Sequence, residues 1–521
     1  MRAQSILVWY SAVEGRREAA VVGRDGLSSK SARDAIDRAQ ARSPADALAL
    51  KFLRRSLTGR IVALSVAKLD DEYAEAEAGA TVTLGWRGDP VSYRDVASLI
   101  AQDPDAAHRQ EAYAAQTRII ESRLNPILLR REEAAEKAAL ETGFADYTAL
   151  SEELRSVQLR PLLASGVAYL QATQGLFPPL LDRVAREELG IGRQDLRAAD
   201  LTRLWKAPHL AQYFDKSLEL KALAAFLQGI GLDLRTAAGT EVRIDDSLEP
   251  RKRPRAFVDA VDAPADVRMS FKPVGGLDDY WTLFHEAGHA VHFASATAEP
   301  KELVTLGYGA PSEAFGEFFR HAFSDPRWLV RYRSFLEGEG RPAPSNADLA
   351  AVLRRTALVE MLYLRRYAFA KVAYELRLHG RPAGEIAPAL QLLSHPDRAA
   401  ADLRELYREL LSAAYSFELN DDESQRYLTD VDDTFYSADY SRAFVLAGMM
   451  DDAIERRFGL DWYGNREVGK FLKTELFAPG TSLSAEEVAQ RLGFPPRLDF
   501  KSAAARAARL VAEADALEQA K

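Results

Sequence analysis

The sequence predicts a mainly α-helical protein with one small β element. Three observations carry that expectation. Apolar residues recur at helical spacing over most of the 521 residues, as at Leu57, Ile61 and Leu64. Glycine, proline and short polar residues punctuate these stretches where helices start and stop. The segment from about Leu232 to Lys272 changes character and alternates with a period of two in places, as Gly79–Trp86 does weakly.

Composition narrows the function classes. A hydrophobic content of 47% is ample for one or two substantial cores. A net charge of −9 argues against a nucleic-acid partner, which is met by basic domains. The chain has no cysteine, so any metal must be held by His, Asp, Glu or backbone oxygen. No stretch reaches the roughly 18–20 uninterrupted apolar residues of a membrane span. The early apolar run Ile6–Tyr10 is short and soon followed by charge, a poor signal peptide. A cytoplasmic protein without a membrane partner is expected.

In chain order, Ser28–Phe52 reads as partly helical and the 3.6-residue pattern takes over from Arg54. Gly79–Trp86 is a short strand or loop edge, and Ser92–Ile100 the next helix. Asp103-Pro104-Asp105 opens the long stretch Ala106–Glu141, which Pro126 should kink or split. Helices continue to about Leu234, with His108 and His209 as solitary surface or capping residues. Gly239–Ile244, Arg255–Asp262 and Asp266–Phe271 read as short strands. An open edge among them would bind an extended peptide backbone; a purely structural hairpin is the alternative. Trp328–Leu336, Asn346–Tyr374 and Asp397–Tyr415 are helical again, with His379 and His395 at turns. Asp421–Asp433 is strongly acidic, lacks calcium-loop spacing and reads as solvated loop. An apolar helix runs through Met450, and Ala485–Leu492 and Ser502–Lys521 pack at the periphery.

The chemistry concentrates in Tyr280–Phe319. His285, Glu286 and His289 spell H-E-x-x-H. A helix turns about 100° per residue, so the two histidines share a face and can offer two imidazoles to one zinc ion. Glu286 sits beside them, within reach of a water at the metal. Trp281, Leu283, Phe284, Ala287, Ala290, Val291 and Phe293 make the segment apolar on several sides, so its ionisable residues need partners. Gly288 would let another segment approach closely. His292, one position off the pair, is expected to be packed or hydrogen-bonded rather than a ligand. Catalytic zinc needs a third protein ligand. Glu299, Glu302, Glu313, Glu317 and His321 are candidates, and Glu313 is preferred. Pro311 and Ser312 signal a helix start, which puts Glu313 in the first turn and Glu317 one turn later, behind a ligating histidine. Tyr436 and Tyr440 are four apart, so one helical face carries both hydroxyls; they are either core aromatics or donors to an oxyanion.

These segments together resemble the thimet oligopeptidase and oligoendopeptidase F family of zinc metallopeptidases (gluzincin type). A more distant likeness links them to the angiotensin-converting-enzyme and carboxypeptidase Taq groups. HEAGHAVHF resembles the zinc helix, GAPSEAFGEFF the downstream glutamate helix, and FYSADYSRAF the C-terminal tyrosine segment. The spacing of 24 residues from His289 to Glu313 is similar to the converting-enzyme arrangement. The resemblance implies His285, His289 and Glu313 as ligands of one zinc ion per chain. It implies Glu286 as general base, Glu317 behind a ligand, and Tyr436 and Tyr440 lining the site. Two departures stand out: Ala443 where a further tyrosine is expected, and Asp432 and Asp433 where the family places a histidine. The implied fold is a two-lobed helical shell around a deep channel for short unfolded peptides. Its parts would be an N-terminal helical lobe (1–234), strands with both metal-binding helices (235–323) and a C-terminal helical lobe with the tyrosines (324–521). The residues also allow a metal enzyme of another reaction class, or an inactive peptide-binding protein.

Overall fold

Side-chain caps fix where many of the helices begin. Asp105 accepts from the N–H groups of Ala107 and His108, Asp146 from Ala149, Asp402 from Arg404 and Glu405, and Ser484 from Glu487. Each cap satisfies donors that the first helical turn leaves open. The computed structural model describes residues 30–249, 252 and 256–520. It is mainly α-helical with a small β element, as the periodicity indicates. Among the described residues no helix is long and apolar enough to cross a membrane. The chain forms two compact units, each discontinuous in sequence. One comprises the residues up to Thr58, His209–Thr356 and those from Arg442 onward; the other comprises Gly59–Pro208 and Ala357–Ser441.

In the second unit, the stretch 106–141 is split, but just before Pro126 rather than at it. A π-helical turn, Ile120–Leu124, separates Ala106–Ile119 from Asn125–Glu141. Pro126 then lies in the first turn of the new helix, where its missing N–H costs nothing. The expected helix to Tyr374 is also interrupted, by a π-helical stretch at Arg365–Lys371. Arg365 is fully buried and caps the end of Leu403–Tyr415, donating to the carbonyls of Ala414 (2.7 Å) and Ala413 (3.1 Å). The acidic stretch is only partly solvated. Asp421–Ser424 forms a short helix capped by Asn420, and Asp430 turns inward to Arg366 and Lys371. Two cations on the π-helical stretch give those carboxylates partners that the sequence order did not suggest.

The first unit builds around helix α1 (Glu219–Gly229), strands β1 (Arg243–Asp245), β2 (Phe257–Asp262) and β3 (Asp266–Ser270), and helices α2 (Leu277–Ser295) and α3 (Gly309–Phe323). The strand order is β1-β3-β2, with β1 parallel and β2 antiparallel to β3. β3 is central and buried along its whole length, packed against α2. β1 is shorter and later than the alternation predicts, because Gly239 (φ 80°) closes a turn in which Thr236 N–H bonds Thr240 O. Arg255 lies outside the described residues. On the other face of α2, Phe226 of α1 meets Phe284 at 5.3 Å, Phe319 at 5.6 Å and Trp328 at 5.2 Å. Helix α4 (Tyr436–Phe458, in this unit from Arg442) and helix α5 (Phe500–Gln519) complete the surroundings of the site.

The start of α2 is pinned by a carboxyl pair. Asp279 accepts from the N–H groups of Val274 (2.8 Å) and Gly275 (2.9 Å), and the carboxyl of Glu219 is buried beside it. Burial, reinforced by Asp279, pushes the Glu219 pKa from 4.5 up to about 9. The folded state therefore keeps a proton that the unfolded chain releases, so stability is greatest below the unfolded pKa and declines as pH rises toward the folded one. Glu219→Gln is expected to remove that decline, which amounts to at most about 1.4 kcal/mol per pH unit, and to be more stable than wild type at mildly alkaline pH. Denaturant unfolding of both proteins across the window measures it.

Candidate metal centre

The site exists because two helices cross where neither carries a side chain. A Cβ on Gly288 of α2 would lie 2.5 Å from the carbonyl oxygen of Phe315 and 2.7 Å from Cα of Gly316. A Cβ on Gly316 of α3 would lie 2.8 Å from Cε1 of the His285 ring. Gly288 thus admits α3, and Gly316 leaves room for the imidazole. α3 begins at Gly309, earlier than Pro311-Ser312 suggests, since proline is tolerated in a first turn. Glu313 consequently sits in the second turn, one turn before Glu317 on the same face.

This crossing brings His285, His289 and Glu313 together, with one donor atom from each within 4.8 Å of the others. Among the described residues no other group of His, Asp and Glu converges in this way. The two Nε2 atoms are 3.1 Å apart, and Glu313 Oε2 lies 3.4 Å from His285 Nε2 and 3.6 Å from His289 Nε2. Tetrahedral zinc with bonds near 2.0–2.1 Å sets its donors about 3.3 Å apart, so this spacing fits such an ion. The Nδ1 atoms face protein: His285 Nδ1 is 3.1 Å from Glu317 Oε1, and His289 Nδ1 is 3.1 Å from Ser312 Oγ. With the N–H on Nδ1, each Nε2 presents a lone pair to the same point, an arrangement that a cation relieves. The donor set of two imidazoles and one carboxylate suits zinc.

The local field favours positive charge. Burial disfavours a proton on His285, but Glu317 and Glu313 outweigh it and hold its pKa well above the ordinary imidazole value. Burial also works against the Glu313 carboxylate, yet the neighbouring imidazoles of His285 and His289 keep its pKa well below the usual range. Glu317 falls to about 2 despite its burial, because Arg320, His285 and His321 surround it. Its Oε2 takes the Nε–H of Arg320 at 2.6 Å, so the carboxylate is gripped from both sides. His321, a candidate ligand in the sequence, instead pairs through Nδ1 with Asp451 of α4 at 2.8 Å, and Asp451 in turn meets Arg506 of α5 at 2.9 Å.

Glu286 follows His285 directly, is half-buried, and has no hydrogen-bond or ion-pair partner among the described residues. Its carboxylate is therefore available for proton transfer. Tyr436 and Tyr440 belong to the second unit, where their rings meet edge-on at 4.8 Å. Tyr440 stacks on Tyr367 at 5.4 Å, and the Arg155 guanidinium lies 4.5 Å over Tyr436. Thr434 and Phe435, just before them, have left-handed φ values of 49° and 54°. Such values are uncommon for side-chain-bearing residues. Arg155 holds this turn by donating to Thr434 Oγ1 (2.7 Å) and Thr434 O (3.1 Å), and the Tyr147 hydroxyl accepts the Thr434 N–H at 2.9 Å. Sequence reasoning passed over Arg155, Tyr147 and Gly316. It read Ser312 only as a helix start, and nothing in the linear order distinguishes any of them.

No protein-family model matches the chain, and neither does any curated protein. The candidate metal centre rests on the geometry of its own residues.

Gly316→Ala separates helix stability from site geometry. The substitution favours the helix by up to about 1 kcal/mol, while its methyl displaces the His285 ring. We expect zinc affinity to drop at least about tenfold with α-helical content unchanged, measured by competitive chelator titration and circular dichroism.

Proposed function

We propose that this protein is a zinc-dependent peptidase acting on short unfolded peptides, with one metal ion per chain held by His285, His289 and Glu313. The observation that carries the reading is the tetrahedral spacing of those three donors, with the carboxylate of Glu286 one residue along the same helix. A cation bound there would supply Lewis acidity, polarising a peptide carbonyl and acidifying water. The residues do the rest. Glu286 takes the proton of the attacking water and passes it to the leaving amine. Glu317 keeps His285 oriented, and Ser312 does so for His289. Tyr440, with Tyr436 beside it, is assigned to donate a hydrogen bond to the developing oxyanion.

The same proposal adopts the architecture of the oligopeptidases that the motifs resemble. It comprises a two-lobed helical shell with a deep channel, residues 235–323 carrying the metal ligands and 324–521 the tyrosines. The proposal places the protein in the cytoplasm. A second reading, a metal enzyme of another reaction class, is favoured by Ala443 and by Asp432 and Asp433 at positions where that family has other residues.

Digestion of a peptide library decides between the two. Wild type is expected to cleave short peptides and to lose that activity on chelation. Specific zinc binding without cleavage would favour the second reading. Glu286→Gln should retain zinc while kcat/KM falls roughly 100- to 10,000-fold. Tyr440→Phe is expected to lower kcat on the order of 100-fold with little change in metal affinity. Elemental analysis alongside steady-state kinetics checks both.

A further inference from the structure

A buried relay reaches His289 from the far side of α2. His292, one turn beyond His289, is fully buried against Phe293, Phe315 and Phe477. Its Nε2 lies 3.1 Å from the carbonyl oxygen of Gly480, and its Nδ1 lies 3.3 Å from Ser312 Oγ. The same Ser312 Oγ is 3.1 Å from His289 Nδ1.

The direction of these bonds is set at one end. A carbonyl oxygen only accepts, so Nε2 of His292 carries the proton. A neutral imidazole then has a bare Nδ1, which accepts, and the hydroxyl of Ser312 at 3.3 Å supplies the hydrogen. With its single hydrogen committed, Ser312 Oγ faces His289 as an acceptor, so His289 carries its proton on Nδ1. That leaves the lone pair of His289 on Nε2, the atom that faces His285 and Glu313. The opposite polarity would set an N–H of His292 against the Ser312 hydroxyl and leave the Gly480 carbonyl without a donor from that ring.

We propose that His292 and Ser312 are positioning residues which, anchored on the Gly480 carbonyl, fix the tautomer of His289 so that Nε2 is ready for the metal. The inference rests on the reading of His285, His289 and Glu313 as a metal centre, but not on peptide hydrolysis. It also accounts for an otherwise costly feature, a histidine and a serine hydroxyl in an aromatic core. His285 receives its orientation differently, from the charged Glu317. The two ligands are therefore set by independent devices, one ionic and one neutral.

Imidazole nitrogen NMR of the metal-free, histidine-labelled wild-type protein tests the relay without any substitution. The expected result is His292 protonated on Nε2 and His289 on Nδ1; a proton on Nδ1 of His292 overturns the proposal. Zinc and cobalt dissociation constants then test its purpose. Ser312→Ala and His292→Phe should each weaken binding by about tenfold or more, and Ser312→Thr should restore it. Because the two residues act in series, the double variant should bind no worse than the weaker single one, whereas unrelated packing losses would add. Affinities within twofold of wild type in both single variants overturn the proposal. If His292→Phe does not fold, the Ser312 pair of variants and the NMR assignment still decide it. Wild type that binds zinc without cleaving peptides removes the peptidase reading alone; wild type that binds neither metal removes both.

Discussion

The candidate metal centre depends on a close approach between α2 and α3 that only two glycines permit. At Gly288 the backbone of α3 comes within van der Waals contact of α2, and at Gly316 the imidazole of His285 fills the space where a side chain would stand. Each glycine weakens its own helix by about 1 kcal/mol relative to alanine. Aromatic packing of Phe226, Phe284, Phe319 and Trp328 around the crossing offsets that weakness. A wider crossing would keep both helices but would move Glu313 out of reach of the histidines.

Burying so many ionisable groups in one place is costly unless each finds a partner of opposite charge or a fixed hydrogen bond. Glu317 meets both conditions, held by His285 on one oxygen and Arg320 on the other. Behind it, His321, Asp451 and Arg506 carry the balance of charge outward through α4 to α5. On the other side of the site, His292 and Ser312 need no charge, because their hydrogen bonds end on a backbone carbonyl.

Much of this was legible in the chain itself. The mainly helical class followed from spacing, and so did the strands at Asp266–Ser270 and the helix carrying both histidines. His292 proved packed and hydrogen-bonded, as its position off the metal-facing pair indicated. Other features resisted. Pro126 marked a break but not its π-helical form, and nothing in the periodicity marked the π-helical stretch at Arg365–Lys371. The acidic stretch looked like solvated loop because its partners, Arg366 and Lys371, lie far away in sequence.

By itself the sequence determined the chemical identity of the donors and the face they occupy, because four-residue spacing on a helix is a local property that needs no partner. It also excluded thiolate ligation outright. The tertiary structure alone decided that Glu313 closes the group, that Gly316 makes room for His285, and that Ser312 and Glu317 take the Nδ1 atoms. Those outcomes depend on where two helices meet, and distances across a crossing are set by packing rather than by order along the chain.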